Sequence, residues 1–383
     1  MNKVIYIVES RFTERDFHRF GVQSFLDKGV DVYVWDVTTV MNSKAAQAIN
    51  KNIACNSINI EYFNNQQNVV KSILELDNNA FILSFIPYHL NSISIYRAIS
   101  KKNIRYSLIR AYSNIFADTA SSTRSFLSIV KKLISINVVM NKLLTRMPLY
   151  VFGVSPANYV FTGGLKSNIN DILIATDTKV VPIHTLDYDE FLNERVEQCI
   201  DKKYIVFIDQ NLPFHTDRIY SSQPAVVTPQ VYYEELNEFF GYLEHEHKAS
   251  VVIASHPRAD LIKAKEFFLG REVIIQKTAV LIKNSLFAII HYSNAVNYCV
   301  LYEKPFILIT TDELNASGNG VFVSALEKRF VKKSSNVTSK EYLTKPLALN
   351  VDTNIYNSYA RDFIKDNNND IKFWDVVVKT IGI

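Results

Sequence analysis

The chain has 383 residues, enough for two domains of ordinary size, each able to bury its own core. With 48% hydrophobic and 21% charged residues its composition is that of a folded globular protein, which excludes a disordered or fibrous chain. Lys and Arg number 42 against 38 Asp and Glu, too even a balance for a nucleic-acid binder, and the scattered Cys55, Cys199 and Cys299 suggest neither a disulfide framework nor a zinc cluster.

The opening MNKVIYIVES lacks the longer apolar region and small-residue cleavage site of a secretory signal, and no run of about 18 uncharged apolar residues follows. The expectation is a cytoplasmic protein without a spanning helix. Residues 4–8 read as a first strand, 11–28 as a helix with apolar residues at helical spacing, and 30–37 as a second strand. Further strands are predicted at 57–63, 81–87, 106–110, 149–154 and 172–175, with a turn at Gly163-Gly164 and a segment, 180–192, leading out of the domain. Near-continuous apolar strands alternating with helices imply a parallel sheet covered on both faces.

The pattern then restarts. Strands are predicted at 204–209, 250–255, 273–276, 286–291 and 306–310, and helices at 229–247, 259–269, 278–284 and 295–302. Two helical patterns, 354–365 and 371–380, close the chain. This reads as an α/β protein of two Rossmann-like domains, 1–195 and 196–350, facing each other across a cleft, with 351–383 returning to the first. Residues 122–146 mix apolar side chains with Arg124, Lys131, Lys132, Lys142 and Arg146 and hold no acid. Such a stretch either packs as a domain helix with a solvated basic face or lies peripherally on an anionic inner membrane.

Three predicted strand ends carry polar clusters, the place where open parallel sheets bind ligands. Ser255-His256-Pro257-Arg258 follows the strand SVVIA, and a His and an Arg ahead of a helix suit an anion. His291-Tyr292-Ser293-Asn294 follows LFAII; its hydroxyl and amide groups cap helices or hold phosphate oxygens. Asp209 and Gln210 open a third such turn after YIVFI. The candidate nucleotide-binding set is therefore Asp209, Gln210, His256, Pro257, Arg258, Tyr292, Ser293 and Asn294. No Walker motif and no G-x-S-x-G elbow occurs.

The His256-Pro257 pair, the Ser293 turn and the helix ending at Lys304-Pro305 resemble the donor domain of bacterial sialyltransferases and polysialyltransferases, and of related transferases of Kdo and other nonulosonic acids. The resemblance covers about 204–311. It implies the two-domain GT-B fold, a CMP-activated sugar, phosphate contacts from His256 and Ser293, an oligosaccharide or lipid-linked glycan acceptor, and no catalytic metal. The paired acid followed by Gly that supplies the base in those families is absent. A UDP-, GDP- or TDP-sugar transferase and a non-catalytic nucleotide- or glycan-binding protein are the alternatives. Attack by an acceptor hydroxyl needs a proton acceptor. The candidates are Glu9 after the first strand, His89 after FILSFIP, and Asp187, which with Asp189 has the spacing of a metal-binding DxD.

Overall fold

A computed structural model describes residues 3–42, 55–112, 140, 141, 143–166, 170–193, 200–215, 218, 224–257, 259–365 and 370–383. Among these, residues up to Leu186, rejoined by those from Asp370 onward, form one compact unit, and Asp187 to Lys365 form a second.

The first unit is built on a parallel sheet of β1 (Lys3–Val8), β2 (Asp31–Asp36), β3 (Ile60–Tyr62), β4 (Ala80–Ser84), β5 (Arg105–Arg110), β6 (Tyr159–Thr162) and β7 (Lys179–Pro182), in the order β3-β2-β1-β4-β5-β6-β7. Alternate side chains feed two cores. Ile5 and Ile7 pack with Val69, Ile73, Ile95 and Ile99 of the Gln66–Glu75 and Ile93–Lys102 helices. Val4 and Tyr6 pack with Val22, Phe25 and Trp374 on the opposite face.

The predicted 11–28 helix is two helices, Glu14–Arg19 and Val22–Leu26, broken at Gly21. Gly21 has φ +60°, and a Cβ there would stand 2.0 Å from Cγ of Trp374. Thr13 and Asp16 form a capping box that starts the first of them. Trp374, only 2% exposed, lies in the Phe373–Ile381 helix and donates from Nε1 to the Arg19 carbonyl at 2.8 Å.

The second unit repeats the plan with β8 (Tyr204–Ile208), β9 (Ser250–Ser255), β10 (Val273–Ile275), β11 (Ala288–Ile290), β12 (Phe306–Thr310) and β13 (Ser335–Asn336), all parallel, in the order β10-β9-β8-β11-β12-β13. Both sheets run outward in two directions from their first strand, which is the doubly wound order. The direction reverses between β1 and β4 in one unit and between β8 and β11 in the other.

Further details differ from the sequence reading, which also lacks β6 and β7. Residues 149–152 form a 3-10 turn ended by Gly153 at φ +64°, not a strand. Residues 172–175 are not a strand: 172 and 173 lie in a turn anchored by Asp171, whose carboxylate accepts from Leu173 N–H. The division falls at Leu186 and Asp187 rather than at 195 and 196. Residues 351–365 stay with the second unit, because Tyr356 donates to the Lys304 carbonyl and Tyr359 to Asn297 Oδ1, both at 2.8 Å. Most of the basic segment 122–146 lies outside the described residues. Among the described residues no helix is long and apolar enough to cross a membrane.

Candidate functional site

The carboxyl ends of β8, β9 and β11 bring most of the predicted nucleotide-binding residues together. Gln210, just past β8, spans the switch point: its Nε2 donates to the Tyr292 carbonyl at 3.3 Å and its Oε1 accepts the Tyr292 N–H at 3.0 Å. One carboxamide thus satisfies both backbone groups of the residue after His291 and fixes the two loops against each other. Ser293 is half-buried, and its hydroxyl accepts from Ala295 N–H at 3.2 Å. Tyr292 lies against Phe322 with ring centres 5.4 Å apart. Its phenol is pushed up to about 12 by burial, against the opposing pull of Arg218.

Asp209 closes the floor of this mouth. It is 4% exposed, accepts from Asn211 N–H at 2.7 Å, and receives the Ser255 hydroxyl at 3.4 Å. Burial pushes its carboxyl up to about 6, although both hydrogen bonds favour the charged form. His256, next to Ser255, is half-buried with its ring centre 5.5 Å from that of His215. His215 ends the polar run that opens at Asp209 in the sequence, and Arg218, which acts on Tyr292, is the cation at this mouth that sequence reasoning missed, since the loop carrying it has no motif. The signal was its position just beyond the β8 turn.

Because the native pKa of Asp209 stands above that of an unfolded carboxyl, its protonated form favours the fold. That contribution is complete below about pH 4 and is lost as pH rises through about 6. Asp209→Asn keeps the acceptor for Asn211 and removes the buried charge. We expect it to stabilise the protein by about 2–3 kcal/mol at pH 8 and by little at pH 4.5. Thermal unfolding of both forms at the two pH values checks this; equal differences at both would contradict it.

Other predictions need revision. The helix after His256 is Leu261–Phe267, two residues later than expected, and Pro257 lies in the turn ahead of it. Its first free N–H groups, of Ile262 and Lys263, are already taken by Asp260. Arg258 lies outside the described residues. His291 is wholly buried, linked to Tyr232 Oη at 3.0 Å and the Ile309 carbonyl at 2.9 Å, and burial lowers its pKa to about 4. It is a core residue, while exposed Asn294 begins the turn leading to the six-residue helix Val296–Leu301. Lys304 of the KP pair donates to the Ser285 carbonyl at 3.0 Å.

Of the three base candidates, Asp187 sits in the second unit and accepts from Asn297 Nδ2 at 2.7 Å, with both side chains buried. Asp187 and Asp189 lie on one helix, Leu186–Asn193, where positions two apart point to different sides and do not share one ion. His89, in the first unit, accepts Asn91 N–H at Nδ1 (3.1 Å), and burial lowers its pKa. The neutral ring therefore carries its proton on Nε2 and presents a donor, the wrong tautomer for a base at that atom. Glu9 follows β1 directly and is exposed.

No protein-family model matches the chain, and no curated protein matches it. Solved structures do. A structure of S. aureus MnaA with UDP is similar at TM-score 0.52 and 13% identity, covering 99% of this chain and 96% of that one. A structure of the wall teichoic acid polymerase TagF is similar at TM-score 0.52 and 11% identity, with 99% and 89% covered. A second TagF structure, soaked with CDPG, gives 0.53 at 10% identity, with 99% and 88% covered. At these identities the likeness establishes the fold: an α/β chain of two Rossmann-like units of the GT-B kind.

Proposed function

We propose that the chain is a transferase of cell-surface polymer assembly that takes a sugar from a nucleoside-diphosphate donor held at the mouth of the second sheet. The observation that carries this is the Gln210–Tyr292 pairing across the switch point, with the half-buried His256 and Ser293 flanking it. A fixed backbone with imidazole and hydroxyl groups beside it provides preorganised donors for a phosphate leaving group. His256 and Ser293 follow β9 and β11, which are separated by β8, so their backbones stand about 10 Å apart. That span suits two phosphates better than one. The UDP and CDPG named with the similar structures support a diphosphate in the same direction.

In the proposed reaction an acceptor hydroxyl attacks the anomeric carbon, the bond from that carbon to the phosphate oxygen breaks, and the electron pair leaves on the diphosphate. The acceptor proton passes to Glu9. No divalent ion is required. The acceptor is a surface glycan, free or lipid-linked.

Calorimetric titration with UDP, CDP, GDP, TDP and CMP tests the donor class. At least one diphosphate is expected to bind about tenfold more tightly than CMP, the worth of one charge-assisted contact. Tightest binding of CMP would restore the nonulosonic acid reading. Binding with no donor turnover would make the chain a carrier, and no binding at all would end the proposal.

A further inference from the structure

The Val296–Leu301 helix follows directly on the Ser293 turn, and its residues Val296, Asn297, Tyr298, Cys299 and Val300 are each 5% exposed or less. So short a helix has too few hydrogen bonds of its own to fix its place, which is set instead by what it packs against. The turn is bonded straight into it. Val296 N–H donates to the Ser293 carbonyl at 3.2 Å, and Asn297 N–H to the Asn294 carbonyl at 3.0 Å.

Asn297 has no exposure, so its carboxamide must find its partners inside the protein. It has one on each side. Its Nδ2 donates at 2.7 Å to Asp187 Oδ2, in the Leu186–Asn193 helix, and its Oδ1 accepts the Tyr359 hydroxyl at 2.8 Å, at the end of the Thr353–Tyr359 helix. Tyr298, the next residue, donates to Glu190 Oε2 at 2.5 Å and adds a second tie to the Leu186–Asn193 helix. Asp187 accepts here and the Tyr359 phenol donates, so the group between them must donate on one side and accept on the other. A carboxamide does both, whereas an ionised carboxylate only accepts and a hydrocarbon does neither.

We propose that Asn297 is a positioning residue for the nucleotide-binding turn: it holds the Val296–Leu301 helix between Asp187 and Tyr359 and thereby sets the place of the Ser293 hydroxyl. The inference rests on the nucleotide reading of this mouth and adds a wholly buried residue that acts through Ser293. A carboxylate at position 297 would face that of Asp187 and be repelled by it. Exchanging the two residue types puts a donor opposite an acceptor again.

UDP titration and amide hydrogen exchange of the full chain test this. Asn297→Asp is expected to weaken UDP about tenfold, the worth of the Ser293 contact, and to speed exchange over 293–297 about tenfold while β8 keeps its protection. In the double variant Asp187→Asn/Asn297→Asp the amide at 187 donates to the carboxylate at 297, whose second oxygen still takes the Tyr359 proton. Both readouts are then expected to return to within about threefold of the wild-type values. Tyr359→Phe removes one hydroxyl and leaves the ring in place, so it covers the case where Asn297→Asp fails to fold; a loss of about threefold in UDP affinity is expected from it. Wild-type UDP affinity in folded Asn297→Asp, or in Tyr359→Phe where the first does not fold, overturns the proposal. Equal acceleration of exchange in β8, or a loss that the double variant does not recover, overturns it as well, because Asn297 is then a general support of the core. Should the wild-type chain bind no nucleotide, the donor reading fails, and the exchange rates alone decide whether Asn297 holds the turn.

Discussion

Replacing Glu9 by Gln is expected to lower sugar transfer by about two to four orders of magnitude while leaving nucleotide affinity unchanged. The amide is nearly the same size as the carboxylate but does not accept the hydroxyl proton, so a loss in turnover without a loss in binding isolates proton transfer from structure. The surroundings make the substitution a mild one for folding, because Glu9 is exposed at the end of β1. Of the three acids and bases picked out in the sequence, Asp187 is held by Asn297, and His89 has its Nδ1 engaged by Asn91 N–H. Glu9 follows β1 at the switch point of its sheet. Turnover would be measured with EDTA present, since the proposed step uses no divalent ion. Full activity of the Gln variant would remove Glu9 from the mechanism, and loss of wild-type activity with the chelator would reverse the view on metals.

The largest loss of stability is expected from Trp374→Ala, about 3–5 kcal/mol. The indole fills the space left by Gly21, its ring centre lies 6.2 Å from that of Phe25 and 6.3 Å from that of Tyr6, and it supplies the hydrogen bond that caps the Arg19 carbonyl. Removing it leaves a cavity lined by aromatic rings and takes the indole donor from the part-buried Arg19 carbonyl. Gly21→Ala should be severe for the complementary reason, as it adds a methyl group where the indole already sits and at a positive φ. Denaturant unfolding of the two variants checks both; a change below about 1 kcal/mol in Trp374→Ala would mean that the C-terminal helix does not anchor the first unit.

The parts of the fold legible in the sequence were those where one physical signal dominated. Buried parallel strands such as 204–208 and 306–310 are continuous apolar runs because both faces are covered. β7 was missed because it is an edge strand, largely exposed and ending in Pro182, so it has no buried face to reveal it. The run at 149–154 imitated a strand by composition, yet Pro148 and Gly153 bracket it into a turn whose Tyr150 faces solvent. In the site, the polar strand ends were legible from position alone. Which of their groups serve the core was not: His291 belongs to a polar turn in sequence, and only Tyr232 and Ile309 show where its hydrogen bonds go. The Asn297–Asp187 contact was invisible because 110 residues separate its members.

The central claim is that the mouth formed by β8, β9 and β11 grips a nucleotide through His256 and Ser293. UDP titration of the His256→Ala/Ser293→Ala double variant tests it most directly. The affinity should fall by about a hundredfold, two charge-assisted contacts at about tenfold each. An affinity within a factor of two of the wild-type value, in a variant that melts at the wild-type temperature, would place the nucleotide elsewhere.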